Sequence, residues 1–122
     1  MILLDLKMNI KENIKKSIHI INSPKMKIEE NSLTIIIPTF NEVDNISSII
    51  ERVKTVLKGI DFQLLFVDDD SSDGTIEKIH AHKIKNKNID IIVRIGRRGL
   101  AGACIEGIMA ANSKYVAVMD CD

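Results

Sequence analysis

Four apolar residues, Leu64-Leu65-Phe66-Val67, run without interruption into three carboxylates, Asp68-Asp69-Asp70, and then into Ser71-Ser72-Asp73-Gly74-Thr75. An apolar run meeting a Ser/Asp/Gly cluster reads as a buried strand, a sharp loop and a helix start. Adjacent carboxylates repel. At about 4 Å and an effective dielectric near 20, each like-charge pair costs roughly 4 kcal/mol. Asp73 has a local use as cap of the following helix. Asp68 and Asp69 need another, and the carboxyl ends of strands in open α/β sheets are where ligands bind. A divalent cation, the N–H groups of a base or the hydroxyls of a ribose would satisfy them.

The same strand–loop–helix grammar recurs on both sides. Leu33-Thr34-Ile35-Ile36-Ile37 is a β-branched run ended by Pro38, as suits a buried parallel strand. Thr39-Phe40-Asn41-Glu42 then forms a loop, and Asp44 or Asn45 caps a helix whose Ile46, Ile49, Ile50, Val53, Val56 and Leu57 mark one face before Lys58-Gly59. Phe62 to Val67 is the second strand, and Gly74 to Lys85 the second helix. His80 and His82, two apart, fall on different helix faces and read as solvent-exposed rather than chelating. Ile89 to Ile95 is the third strand. Gly96-Arg97-Arg98-Gly99 leads into a small-residue helix through Leu100, Ala103, Cys104, Gly107, Ile108 and Ala111, and Tyr115 to Met119 is the fourth strand, followed by Asp120-Cys121-Asp122. The glycine-rich entry suits an anion at a helix amino end but matches neither GxGxxG nor GxxxxGK[ST]. Arg97 and Arg98 face phosphate or sugar, or are solvated; both readings stay open.

Residues 1–31 form a separate arm. Leu3, Leu6, Ile10, Ile14, Ile18 and Ile21 recur at helical spacing until Asn22-Ser23-Pro24. A membrane-surface helix, a packed arm or a partly disordered one all fit.

In 122 residues there is room for one core burying about two thirds of the unfolded surface. Lys plus Arg equals Asp plus Glu, 17 each, which argues against nucleic acid as the main partner. Cys104 and Cys121 lack CxxC spacing and read as reduced thiols of a cytoplasmic chain, with a disulfide as the lesser alternative. No run approaches the ~18 apolar residues of a membrane span, and the amino end lacks a signal-peptide pattern.

Four strands alternating with three helices predict an α/β fold: a Rossmann-like parallel sheet with right-handed crossovers. Order 3-2-1-4 would set the ends of strands one and four side by side and gather Glu42, Asp68, Asp69, Asp120 and Asp122 on one rim. An Asp-x-Asp at a strand end offers hard oxygen ligands to Mg²⁺ or Mn²⁺, ions that complete their shell from substrate phosphates.

The segments Ile37-Pro38-Thr39-Phe40-Asn41-Glu42, Val67 to Thr75, Arg98-Gly99-Leu100 and Met119-Asp120-Cys121-Asp122 resemble, in order and spacing, the family 2 glycosyltransferases of GT-A fold, nearest the polyprenyl-phosphate sugar synthases. The likeness covers residues 33–122. It implies the amino-terminal, donor-binding part of such a domain in residues 32–122, since the family continues past Asp122. By resemblance, Pro38, Phe40, Glu42, Val67 and Asp69 line the base and ribose pocket of a GDP- or UDP-sugar. Asp120 and Cys121 touch the nucleotide, and Asp122 is the catalytic carboxylate holding Mg²⁺ or Mn²⁺ on the diphosphate. Phe40 stands where Tyr is usual, Ser72 where Pro is common and Cys121 where Ala is usual. The implied reaction is inverting transfer of a mannose- or glucose-class sugar to a polyprenyl phosphate or other acceptor, at the cytoplasmic face of a membrane or in the cytoplasm. Two other classes remain in view: a non-catalytic α/β nucleotide-binding or interaction module, and a phosphate-accepting receiver domain. The receiver would want its acidic pair after strand one, where this chain has Pro38-Thr39-Phe40.

Overall fold

The computed structural model describes the backbone of residues 2–4 and 29–122, with side chains from residue 32 on. Its elements, in order, are β1 (Ile2–Leu4), β2 (Glu29–Thr39), α1 (Ile46–Val56), β3 (Phe62–Asp68), α2 (Thr75–Lys85), β4 (Ile89–Val93), α3 (Leu100–Ala110) and β5 (Ser113–Val118). The sheet runs β1-β5-β2-β3-β4. Strands β4, β3, β2 and β5 are parallel, which is the expected 3-2-1-4 order.

One strand was not expected. Ile2–Leu4 pairs antiparallel with β5, Ile2 opposite Val118 and Leu4 opposite Val116. The helical spacing therefore misassigns the start of the arm, where pairing with an open sheet edge outweighs local periodicity. The rest of that pattern, Leu6 through Ile21 and the Asn22-Ser23-Pro24 break, lies outside the described residues.

The sheet separates two apolar layers by strand parity. Ile35, Ile37, Leu64, Phe66 and Ala117 point to the side covered by Ile46, Ile49, Ile50 and Val53 of α1 and Ile79 of α2. Ile36, Leu65, Val67 and Val116 point to the other side, under Ala103 and Ile108 of α3. At Gly107 a Cβ would lie 2.7 Å from Ile36 Cγ2, so the helix reaches the sheet only because that side chain is missing.

Two strand bounds move. Strand β2 continues through Pro38 to Thr39, with Pro38 opposite Val67. Ile36 O accepts from Met119 N, so position 38, of the same parity, turns its missing N–H toward β5 beyond the last paired residue, Val118, and no ladder bond is lost. Strand β4 ends at Val93, releasing Arg94 and Ile95 from the expected third strand.

Candidate functional site

The carboxyl ends of β2, β3 and β5 are adjacent, and the loops leaving them form one rim at the point where strand order reverses. The triple Asp68-Asp69-Asp70, which makes the rim look uniformly acidic in sequence, divides into three different environments. Asp68 is fully buried and accepts from Thr39 Oγ1 (2.6 Å), Ser71 N (2.7 Å) and Ser71 Oγ (2.7 Å). Both its oxygens serve the loop in a fully buried position, so it leaves the expected ligand rim. Asp70 is exposed in left-handed backbone at φ 60°.

Asp69, 8 % exposed, faces a cation that sequence reasoning did not single out. Arg94 Nη1 lies 3.2 Å from Asp69 Oδ1. The contact is ionic: Oδ1 is off the N–H direction and accepts no hydrogen bond, while Oδ2 accepts from Gly99 N at 2.8 Å. Arg94 Nη1 also donates to Gly99 O at 3.0 Å, and its Nε stands 3.4 Å from Glu106 Oε2. Glu106 in turn receives Arg97 Nε at 2.6 Å and Nη2 at 3.2 Å. Hydrogen bonding to Arg97 holds the Glu106 carboxyl below its usual range and raises Arg97. In sequence Arg94 was hidden inside the strand reading of Ile89 to Ile95, and no local signal marked it.

A cleft of about 420 Å³ opens beside this network, lined by Asp70, Arg94, Gly96, Arg97 and Arg98. Arg98, one of its lining residues, sets its guanidinium carbon 4.5 Å from the centroid of Phe40. Phe40 itself is 44 % exposed.

Among the other expected pocket residues, Glu42 Oε2 accepts from Asn45 Nδ2 at 2.8 Å, so Asn45, although it is the α1 N-cap, spends its side chain on Glu42 instead of on the helix. Pro38 is half-buried on β2. Val67 is fully buried beneath α3 and can offer only backbone to a ligand. Cys121 also turns inward, 5 % exposed and packed in the layer beneath α1, so its sulfur does not face the rim. Burial, with Glu42 and Asp122 nearby, pushes its thiol up to about 12. Asp120 and Asp122 flank it, both exposed.

The described residues contain no group of three His, Cys, Asp or Glu side chains that could hold a metal ion. Alternation at the end of β5 sends Cys121 to the core and the carboxylates of Asp120 and Asp122 outward, where neither has a hydrogen bond or ion pair among the described residues. Exposed, unpaired, hard oxygen donors fit a divalent ion that draws further ligands from phosphate.

Away from the rim, Asp73 accepts from Thr75 N and Val43 N, tying the α2 start to the loop after β2; the Thr75 hydroxyl bond holds its carboxyl below the usual range. His82, expected to be solvent-exposed, is half-buried with Nε2 2.9 Å from Ser47 Oγ, because α1 packs on α2 there. No helix among the described residues is long and apolar enough to cross a membrane.

The chain is 36 % identical over 91 residues to a dolichol-phosphate mannosyltransferase of Pyrococcus furiosus, covering 74 % of this chain and 25 % of that protein. It is 34 % identical over 92 residues to the dolichol-phosphate mannosyltransferase of Saccharomyces cerevisiae, covering 73 % and 34 % respectively. It thus spans between a quarter and about a third of the length of these curated relatives. A solved mannosyltransferase from Pyrobaculum calidifontis, in complex with GDP-Man and Mn²⁺, superposes with a TM-score of 0.64 at 19 % identity, over 95 % of this chain and 35 % of that one, and shares the GT-A fold. The sequence signature of glycosyl transferase family 2 matches residues 34–122, from within β2 through the other parallel strands and the rim, and the chain belongs to that family.

Proposed function

We propose that residues 32–122 are the nucleotide-sugar-binding part of an inverting glycosyltransferase, which moves a mannose- or glucose-class sugar from a GDP- or UDP-sugar to a polyprenyl phosphate. The observation that carries the reading is the adjacency of the β2, β3 and β5 ends, which sets Phe40, Glu42, Asp69, Asp120 and Asp122 around one rim. Phe40 offers a stacking face, Glu42 and Asp69 offer carboxylate oxygens to base or ribose donors, and Asp122 holds Mg²⁺ or Mn²⁺ with Asp120 beside it. The ion, when bound, supplies charge stabilisation for the departing diphosphate. A phosphate acceptor is already anionic and needs no strong general base. That acceptor class is supported by the names of the two relatives, and the donor and ion by the GDP-Man and Mn²⁺ bound to the solved neighbour. A lipid-linked acceptor would place the domain at the cytoplasmic face of a membrane.

Calorimetric titration of GDP-mannose and UDP-glucose with Mn²⁺ into the chain and into Asp122→Ala tests this. Metal-dependent heat in the parent that is lost in the variant is expected; equal heat in both, or none in either, removes the proposed site.

A further inference from the structure

We propose that Arg94 is a positioning residue for this site, holding Asp69 and the turn Gly96–Gly99 as a single unit from beneath. The inference rests on the nucleotide-binding reading and extends it to a residue that touches no ligand itself.

One guanidinium bridges two segments that are 30 residues apart. Its Nη1 meets the Asp69 carboxylate at 3.2 Å and the Gly99 carbonyl at 3.0 Å, while Asp69 Oδ2 takes the Gly99 N–H at 2.8 Å. Asp69, Arg94 and Gly99 therefore close a ring in which each member contacts the other two. The backbone prepares it: Arg94 N donates to Asp68 O at 2.7 Å and Asp69 N to Thr39 O at 3.0 Å, so the ring is anchored to the ends of β2 and β3.

Space is reserved for the guanidinium. A Cβ on Gly102 would lie 2.6 Å from Arg94 Nη2, so an alanine in that helix would force the guanidinium to shift. A charge buried to 4 % exposure requires compensation, and Asp69 and Glu106 provide it from opposite sides. Lysine, a compact charge on one nitrogen, could not keep the Nη1 contacts to Asp69 and Gly99 together with the Nε approach to Glu106.

What the unit carries is functional. Arg97 and Arg98 project from the anchored turn, one to Glu106 and one over Phe40, and the cleft lies between them and Asp70. Freed from Arg94, the turn would let Arg98 leave Phe40 and would leave Asp69 without its fixed orientation.

Arg94→Lys and Gly102→Ala test this in the full chain; the second displaces the guanidinium without removing its charge and adds helix propensity. The ligand-free readout is hydrogen exchange at the Gly99 amide, expected to quicken at least about tenfold in both variants while Ile36 and Phe66 stay protected. The ligand readout is affinity for GDP or UDP with Mn²⁺, expected to fall about tenfold in each variant, with under about half of the Arg94→Lys effect surviving in an Asp69→Asn background. Unchanged Gly99 exchange in both variants, or an undiminished Arg94→Lys effect in the Asp69→Asn background, overturns the proposal. A parent chain that takes up neither nucleotide ends the binding reading, and the Gly99 exchange still decides the coupling.

Discussion

The guanidinium of Arg98, which lines the cleft, lies over the ring of Phe40, 4.5 Å from its centroid, and so brings a side chain from the turn after β4 against one from the loop after β2. A base that stacks on Phe40 takes the face that Arg98 covers or the opposite one. Stacking on an aromatic side chain is worth roughly 1–3 kcal/mol per base, so Phe40→Ala is expected to weaken GDP or UDP binding about tenfold, with Phe40→Tyr close to the parent. Calorimetry measures this. Because Phe40 is 44 % exposed, the unfolding temperature should hardly move. Equal affinity in Phe40→Ala would exclude stacking there.

Asp68 is expected to behave as a structural carboxylate. Asp68→Ala leaves Thr39 Oγ1, Ser71 N and Ser71 Oγ without their acceptor in a fully buried position. The loss should be about 3 kcal/mol, with the urea midpoint lowered by roughly 1–2 M. Asp120→Ala, at an exposed position, should stay within about 0.5 kcal/mol of the parent. Similar midpoints for the two variants would refute the division of roles.

Gly107→Ala sets two effects against each other. Helix propensity favours alanine by up to about 1 kcal/mol, whereas the new Cβ meets Ile36 Cγ2 at 2.7 Å in a fully buried position. Overpacking of that kind costs about 1–3 kcal/mol and should win. Adding Ile36→Ala should give a double variant less destabilised than the sum of the singles. A stabilised Gly107→Ala would mean that α3 does not sit this close to β2.

Cys121 gives the pH prediction. Its thiol is pushed up to about 12 by burial, then by Glu42 and Asp122. A folded value raised above the unfolded one contributes stability that is complete below about pH 9 and is lost as pH rises toward about 12. Alkaline unfolding should therefore begin earlier in the parent than in Cys121→Ala, relative to each protein's stability at pH 7. Near pH 8 the folded thiol should also alkylate roughly a thousandfold more slowly than an ordinary exposed cysteine, and urea should abolish the difference. Cys104, raised by burial and by Asp120, should fall between. Mass-resolved iodoacetamide kinetics would read both sites, and fast labelling of folded Cys121 would contradict its placement.

The parallel sheet was legible because its strands are written as short β-branched or apolar runs, each stopped by a loop residue, and because the helices repeat Ile or small residues at steps of three and four. Their alternation leaves few topologies open, and the structure takes the 3-2-1-4 order among them. The arm departs from its helical spacing at Ile2–Leu4 because an edge of β5 accepts a strand whatever periodicity that strand carries. Arg94 was not legible because a buried cation has no local signature; its partners Asp69, Gly99, Gly102 and Glu106 come from separate stretches.

The sequence alone determined that carboxylates end the strands, since side-chain chemistry and the order of elements along the chain are local properties; that those ends share a rim followed from the spatial strand order, which packing sets. Only the tertiary structure decided which carboxylates are free. Asp68 is taken by Thr39 and Ser71; Asp69 gives Oδ2 to Gly99 and keeps Oδ1 beside Arg94 without a hydrogen bond; Asp120 and Asp122 remain outside any such bond among the described residues. The physical reason is burial: a carboxylate removed from water must find donors, and which donors are within reach is fixed by packing between segments distant in the chain.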